Sequence, residues 1–338
     1  SASKGTGNPM SVEASEVVVL PGPDLNEEKH GIKEAARRKL SSPWAVLVVV
    51  IITVLWTIPT VGLLVTSFRP AADAQNTGWW TFFRNPAVTF SNYAEVITGG
   101  TTMGTGIMPY FFNSFAIAIP AAIFPLILAS MAAYAIAWVP FKGSTWIFFG
   151  IFALQVVPLQ MALLPLLQMF NLGWSIGDIP IFPDLNKEGS QQSLLAGTYI
   201  PLWIAHTMFA LPLAIFLLHN FMAQLPRDLM EAARVDGAGH FLIFRKIVLP
   251  LSVPAIASFA IFQFLWVWND LLVAITFAGG TPDVAPITSY LATIKGSYGA
   301  QLHLITAGAF IAIIVPLIVF FSLQRFFVRG LLAGSVKG

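Results

Sequence analysis

Six apolar stretches, each close to or above the length a helix needs to cross a bilayer, constrain this 338-residue chain more than any other feature. They run from about Trp44 to Phe68, Pro109 to Trp138, Trp146 to Phe170, Tyr199 to Met222, Val253 to Ala278 and Leu304 to Phe321. Inside hydrocarbon every backbone N–H and C=O must find a partner within the protein, which only helices and closed barrels achieve. The stretches lack the alternation of barrel strands, so all six are read as helices. Composition agrees: 56% of residues are hydrophobic and 10% charged, against about 25% charged in soluble domains. The chain has no cysteine, which excludes disulfides and thiolate metal sites. A net charge of +2 gives no reason to expect a nucleic-acid partner.

The basic residues orient the bundle. With an even number of spans and the N-terminus inside, only Arg69, Arg84, Lys187 and Lys295 of the 18 basic residues face outward. The opposite orientation would break the positive-inside rule. Both termini are therefore expected to be cytoplasmic. Residues 1–43 are polar and end on the basic run Arg37-Arg38-Lys39, and they read as a disordered cytoplasmic tail rather than a secretory signal. Residues 44–325 form the membrane domain and 326–338 a cytoplasmic C-terminal tail. Trp79, Trp80, Phe82, Phe83 and Trp174 in the outer loops are expected as interfacial anchors in membrane lipid. The outer loops 69–108 and 171–198 are long enough to meet an external protein.

Several chemistries are missing. There is no Walker A loop, no HExxH and no GxSxG. Gly104 and Gly106 lack the strand-turn-helix setting of a phosphate loop. Of the ionisable Asp, Glu, Lys and Arg residues, only Asp270 falls within a span, beside Asn269, too thin a set for a proton relay. A stand-alone secondary transporter would carry more buried charge, and a membrane-embedded enzyme would need converging catalytic groups. The drive for solute passage is thus expected from outside the chain.

The segment between the fourth and fifth spans, residues 225–251, carries the most specific signal. Pro226 suits a first helical position, Asp228 and Glu231 favour the start of a helix, and Ala232 and Ala233 extend it. Gly237 or Gly239 can end it in a left-handed turn. Phe241, Phe244, Ile247 and Val248 make an amphipathic second segment, and Pro250 marks the entry to span five. The expected shape is a short helix across the inner mouth, turned sharply and packed back on the bundle.

Glu231-Ala232-Ala233, followed by Gly237 and by Ile247-Val248-Leu249-Pro250, resembles the EAA loop of ABC importer permeases. The fuller run from Glu231 through Asp236 and Gly237 to Ala238 is similar to the carbohydrate-importer branch. Trp268-Asn269-Asp270 resembles the corresponding segment of span five in that branch. Phe327 to Gly338 resembles the tail of the maltose-type second permease subunit, and Pro201 to His206 more weakly the α-glucoside members. The resemblance covers roughly residues 40–338. It implies an all-α, six-helix permease that pairs with a second, different permease chain. It also implies a dimer of ATPase chains, which bind the ATP and Mg while this chain binds no cofactor, and an extracytoplasmic sugar-binding protein. Glu231, Ala232, Ala233, Asp236, Gly237, Leu249 and Pro250 would form the ATPase-coupling surface. Gly334, Ser335, Val336, Lys337 and Gly338 would reach between the ATPase chains.

A sugar path needs hydrogen-bonding groups and aromatic faces on its walls. The candidates are Asn113 in span two, Gln155 and Gln160 in span three, and Gln263, Trp266, Asn269 and Asp270 in span five. Each has interhelical packing as its alternative role.

Overall fold

The computed structural model describes residues 43–100, 104–172, 174–176, 179–182, 197–278, 282–297 and 301–335, and within these the backbone alone over 171–182, 295–297 and 324–335. The chain divides into two units, residues 1–61 and 62–338. The described part of the first unit is most of helix α1, Pro43–Ser67, which continues into the second. At about 1.5 Å per residue a helix of this length spans a hydrocarbon core. Thr53 and Thr57 turn their hydroxyls back to the carbonyls of Val49 and Thr53, each at 2.7 Å. These two hydroxyl protons are thus not left bare in an apolar setting.

In the second unit α1 is followed by α2 (Ala71–Asn76), a 3-10 turn (Trp79–Phe83) and α3 (Ser91–Thr98). Arg69 organises this segment. Its buried guanidinium donates to the Thr77 carbonyl at 3.2 Å, to the Thr77 hydroxyl and to the Thr81 hydroxyl at 3.0 Å. Asn92 fastens α3 to the end of α1 through the carbonyls of Ser67 and Arg69, at 2.8 and 2.9 Å.

The bundle comprises α4 (Met108–Trp138), α5 (Ser144–Leu154), α6 (Leu159–Leu172), α7 (Ile200–Met222), α8 (Arg227–Val235) and α9 (His240–Ile243). A π turn (Phe244–Val248) leads into α10 (Leu249–Trp268), α11 (Leu272–Ala278), α12 (Ile287–Ser297) and α13 (Leu302–Ser335). A short antiparallel hairpin, β1 (Trp174–Ile176) with β2 (Ile179–Phe182), interrupts the otherwise helical order. Among the described residues five helices are long and apolar enough to cross a membrane: α1, α4, α7, the run His240–Trp268, and α13 as far as Leu323. A sixth arises if α5 and α6 count as one span.

Two apolar stretches differ from simple rods. The third bends by 97° between α5 and α6. Pro158 disfavours helical backbone at Val157 and has no N–H to give. The end of α5 accordingly tightens into short-range bonds, Gln155 N–H to Phe152 O and Val156 N–H to Ala153 O at 3.0 and 3.1 Å. The fifth begins earlier than its apolar run, at His240, and ends at Trp268 rather than Ala278.

Prolines inside the spans leave carbonyls four residues upstream without their helical donor. Long-range side chains replace three of them. The Trp203 indole donates to Ala116 O at 2.9 Å, opposite Pro120. The Gln263 amide donates to Ala121 O at 3.3 Å, opposite Pro125. The Trp268 indole donates to Ala312 O at 3.1 Å, opposite Pro316. Helix α4 lies against α7 and α10, and α10 against α13. Buried Ala118, Ala121, Ala129 and Ala133 on α4 and Ala205, Ala210 and Ala214 on α7 let the backbones approach closely. One core cluster surrounds Trp268, and a second holds α8 and the π turn against the far ends of α4 and α7.

Candidate coupling surface and translocation path

The segment 225–251 folds as a short helix and a reversal. Pro226 stands at the N-cap of α8 with an extended ψ of 129°, and Asp228 lies in the first turn against the positive end of the helix. Gly237, at φ +81°, ends it. Ala238 N–H reaches Ala233 O at 2.9 Å and Gly237 N–H reaches Arg234 O at 3.0 Å, the paired bonds of a Schellman stop. Gly239 is extended, at φ −73°, and starts α9 instead.

The two faces of α8 differ. Met230 and Ala233 are buried in the inner core cluster, whereas Glu231, Ala232 and Asp236 are exposed. Val235 is 87% and Phe241 75% exposed. Large apolar side chains rimmed by Asp228, Glu231 and Asp236 form the kind of surface that a protein partner covers. Leu249 is half-buried and Pro250 exposed at the start of α10.

Helix α4 fixes this loop in place. The Trp138 indole donates to Met222 O at 3.0 Å, and the Arg234 guanidinium donates to Trp138 O at 3.2 Å. The Tyr134 hydroxyl and His240 Nδ1 share a bond at 3.0 Å.

The path candidates fall into two sets. Trp266, Asn269 and Asp270 line one open cavity of about 730 Å³, together with Phe262, Leu265 and Phe320. Trp266 is 52% exposed and lies against the Phe262 ring. Asn113 and Gln263 are buried and do not line that cavity. Asn113 donates to the carbonyls of Pro282 and Ala285 at 2.7 and 3.0 Å and accepts from the Tyr199 hydroxyl at 2.7 Å. Gln263 is the donor for the carbonyl opposite Pro125. Gln155 and Gln160 are exposed on either side of the α5–α6 bend.

The chain breaks between α10 and α11 at Asn269–Leu271, on the wall of this cavity. The Trp268 ring is wedged edge-on between Phe111 and Phe115 and stacks on Phe264. Asn269 closes α10 by donating from Nδ2 to Leu265 O at 2.8 Å. Asp270 opens α11 by accepting from Ala274 N–H at 3.1 Å. The Thr288 hydroxyl bonds Asp270 O at 2.6 Å, and His206 Nε2 lies 3.9 Å from the Asp270 carboxylate. Non-helical backbone at membrane depth is tolerated where it is buried or lines a wet cavity, and exposed Asn269 places this break on the cavity.

The C-terminal helix runs on past Leu323, so Gly334 and Ser335 are its last residues. Val336, Lys337 and Gly338 lie outside the described residues. Among the described residues no group of His, Asp and Glu side chains could hold a metal ion.

Known proteins resemble this arrangement. The chain is 52% identical over 278 residues to the alpha-glucoside transport system permease protein AglG of Rhizobium meliloti, covering 80% of this chain and 68% of that one. It is 48% identical over 296 residues to the osmoprotective compounds uptake permease protein GgtD of Synechocystis sp., covering 86% and 91%. One chain in the crystal structure of a bacterial ABC transporter involved in the import of the acidic polysaccharide alginate superposes with a TM-score of 0.62, over 91% of this chain and 100% of that one. At 18% identity that likeness speaks for the fold alone. Residues 125–332 match the model of the binding-protein-dependent transport system inner membrane components, and this multi-pass membrane protein belongs to that family.

Proposed function

We propose that the chain is one of two different permease subunits of an ATP-driven importer of sugars, oligosaccharides or glucosides, with both termini in the cytoplasm. The observation that carries this is the coupling loop: a helix ended by Gly237, with Met230 and Ala233 seated in the bundle and Glu231, Val235 and Phe241 facing away from it. Such a knob suits a groove on a separate ATPase chain. Glu231 would meet a basic residue there, with Ala232 and Asp236 on the same contact. Leu249 and Pro250 would carry the loop into α10. ATP and Mg would be held by the partner alone, since this chain has no phosphate loop. The last residues, Gly334 to Gly338, would extend α13 toward the ATPase pair.

ATP opens a pore only by binding one conformation better than another. Closure of the ATPase chains on ATP would draw α8 with it, and an external sugar-binding protein would deliver cargo to the outer side. The sugar would cross along the cavity of Trp266, Asn269 and Asp270, with its apolar face on the indole and its hydroxyls on the amide and carboxylate. Support for α-glucoside cargo comes from the name of the 52% identical relative. The name of the 48% identical relative favours an osmoprotective compound as the second choice.

The test is mild-detergent purification of the tagged chain from its native membrane, with mass spectrometry of its companions. A second permease, a Walker A ATPase and a binding protein are expected. A preparation of this chain alone that transports without ATP would overturn the proposal.

A further inference from the structure

Coupling requires that a pull on α8 move the bundle, and besides the apolar seating of Met230 and Ala233 three connections leave the loop. One returns covalently to α7 through residues 223–226. A second continues into α10 through the π turn at Phe244–Val248. The third is not covalent and ends on α4. Trp138, the last residue of α4, bonds the chain on both sides of the loop's entry, at the end of α7 and in the last turn of the coupling helix. Its indole bonds Met222 O, the carbonyl that Pro226 leaves without an α-helical donor, and its own carbonyl takes the Arg234 guanidinium. One turn earlier, the buried Tyr134 hydroxyl bonds His240, on the far side of the reversal.

At its other end α4 holds the chain beyond the cavity break. Asn113 bonds the carbonyls of Pro282 and Ala285, and the Ser114 hydroxyl accepts from Ile287 N–H at 2.9 Å. A 31-residue helix is therefore bonded to the coupling loop at one end and at the other to the segment leading into α12, whose Thr288 bonds Asp270 of the cavity wall. We infer that Trp138 and Tyr134 are positioning residues that carry displacement of the coupling helix into α4, and through α4 to the wall of the translocation path. The inference rests on the ATP-driven importer proposed above.

The test uses the co-purified complex in proteoliposomes, with a mixture of radiolabelled sucrose, maltose and trehalose as cargo, and reads sugar moved per ATP hydrolysed. Trp138→Phe combined with Tyr134→Phe removes the indole and hydroxyl bonds while keeping both rings. The expected result is at least a fivefold fall in sugar per ATP, with ATP hydrolysis and co-purified ATPase within twofold of the unmodified complex. A merely structural role would lower both rates together and leave the ratio unchanged, and an unchanged ratio overturns the inference. Should the double variant fail to assemble, Tyr134→Phe alone is expected to halve the ratio, and an unchanged ratio is equally decisive against it. An unmodified complex that hydrolyses ATP but moves none of the three sugars would strike the cargo assignment. One without an ATPase chain would strike the importer itself.

Discussion

The indole of Trp268 donates to the carbonyl of Ala312, the group that Pro316 leaves without its helical partner, and so joins the end of α10 to the middle of α13 at 3.1 Å. Trp268→Phe should leave that carbonyl bare in the bundle, at a cost of about 1–3 kcal/mol. Pro316→Ala restores a backbone N–H at the right place, so it should recover part of the loss in the Trp268→Phe background. Thermal unfolding in detergent of the two single variants and the double variant checks this. Strictly additive effects would remove the coupling between the two residues.

Glu231→Lys should reverse a charge on the exposed face of α8 without touching its buried one. Stability should stay within about 0.5 kcal/mol, as for other surface changes, and the protein should reach the membrane in normal amount. Uptake should fall more than tenfold. Cells expressing the variant with full uptake would remove Glu231 from the docking contact.

Gly237 and Gly239 should respond differently to alanine. Gly237 sits at φ +81°, where a side chain strains the backbone even though space is open. Gly237→Ala should cost about 1–2 kcal/mol and loosen the end of α8. Gly239 is extended, so Gly239→Ala should be close to neutral. Proteolysis rates of the loop in the purified complex would compare them, and equal rates would contradict the turn assigned to Gly237.

Trp266→Ala should raise the KM for uptake severalfold with little loss of stability, because the ring is half-exposed on the cavity wall. Asn113→Ala should do the reverse. It removes three hydrogen bonds, one buried and two part-buried, and should lower the melting temperature while leaving the KM of the folded fraction unchanged. A KM shift in Asn113→Ala with unaltered melting would place Asn113 on the path.

Most of the bundle was legible from the apolar runs, because hydrocarbon leaves so few ways to satisfy a backbone. The short helix α8 was legible too, from Pro226 and the alanines, although Pro226 stands at the N-cap rather than the first helical position and the stop, left open between Gly237 and Gly239, falls at Gly237. Three features were not read. The break at Asn269–Leu271 is hidden in an apolar run, although Asn followed by Asp is the pair that ends one helix and starts the next. Gln263 is a path candidate in the sequence with interhelical packing as its alternative, but its partner could not be named from the sequence. Its role follows from Pro125, on another helix and 138 positions earlier in the numbering (263 − 125). The bonds from Trp138 to the end of α7 and to Arg234 of α8 are equally non-local, and no periodicity along the chain announces them.

The most direct test of the central claim is uptake of radiolabelled α-glucoside by proteoliposomes holding the purified complex and its binding protein, with ATP supplied on the side of the coupling helix. Accumulation that requires ATP and disappears in Glu231→Lys is predicted. Equal uptake with and without ATP, or accumulation untouched by that substitution, would contradict the account.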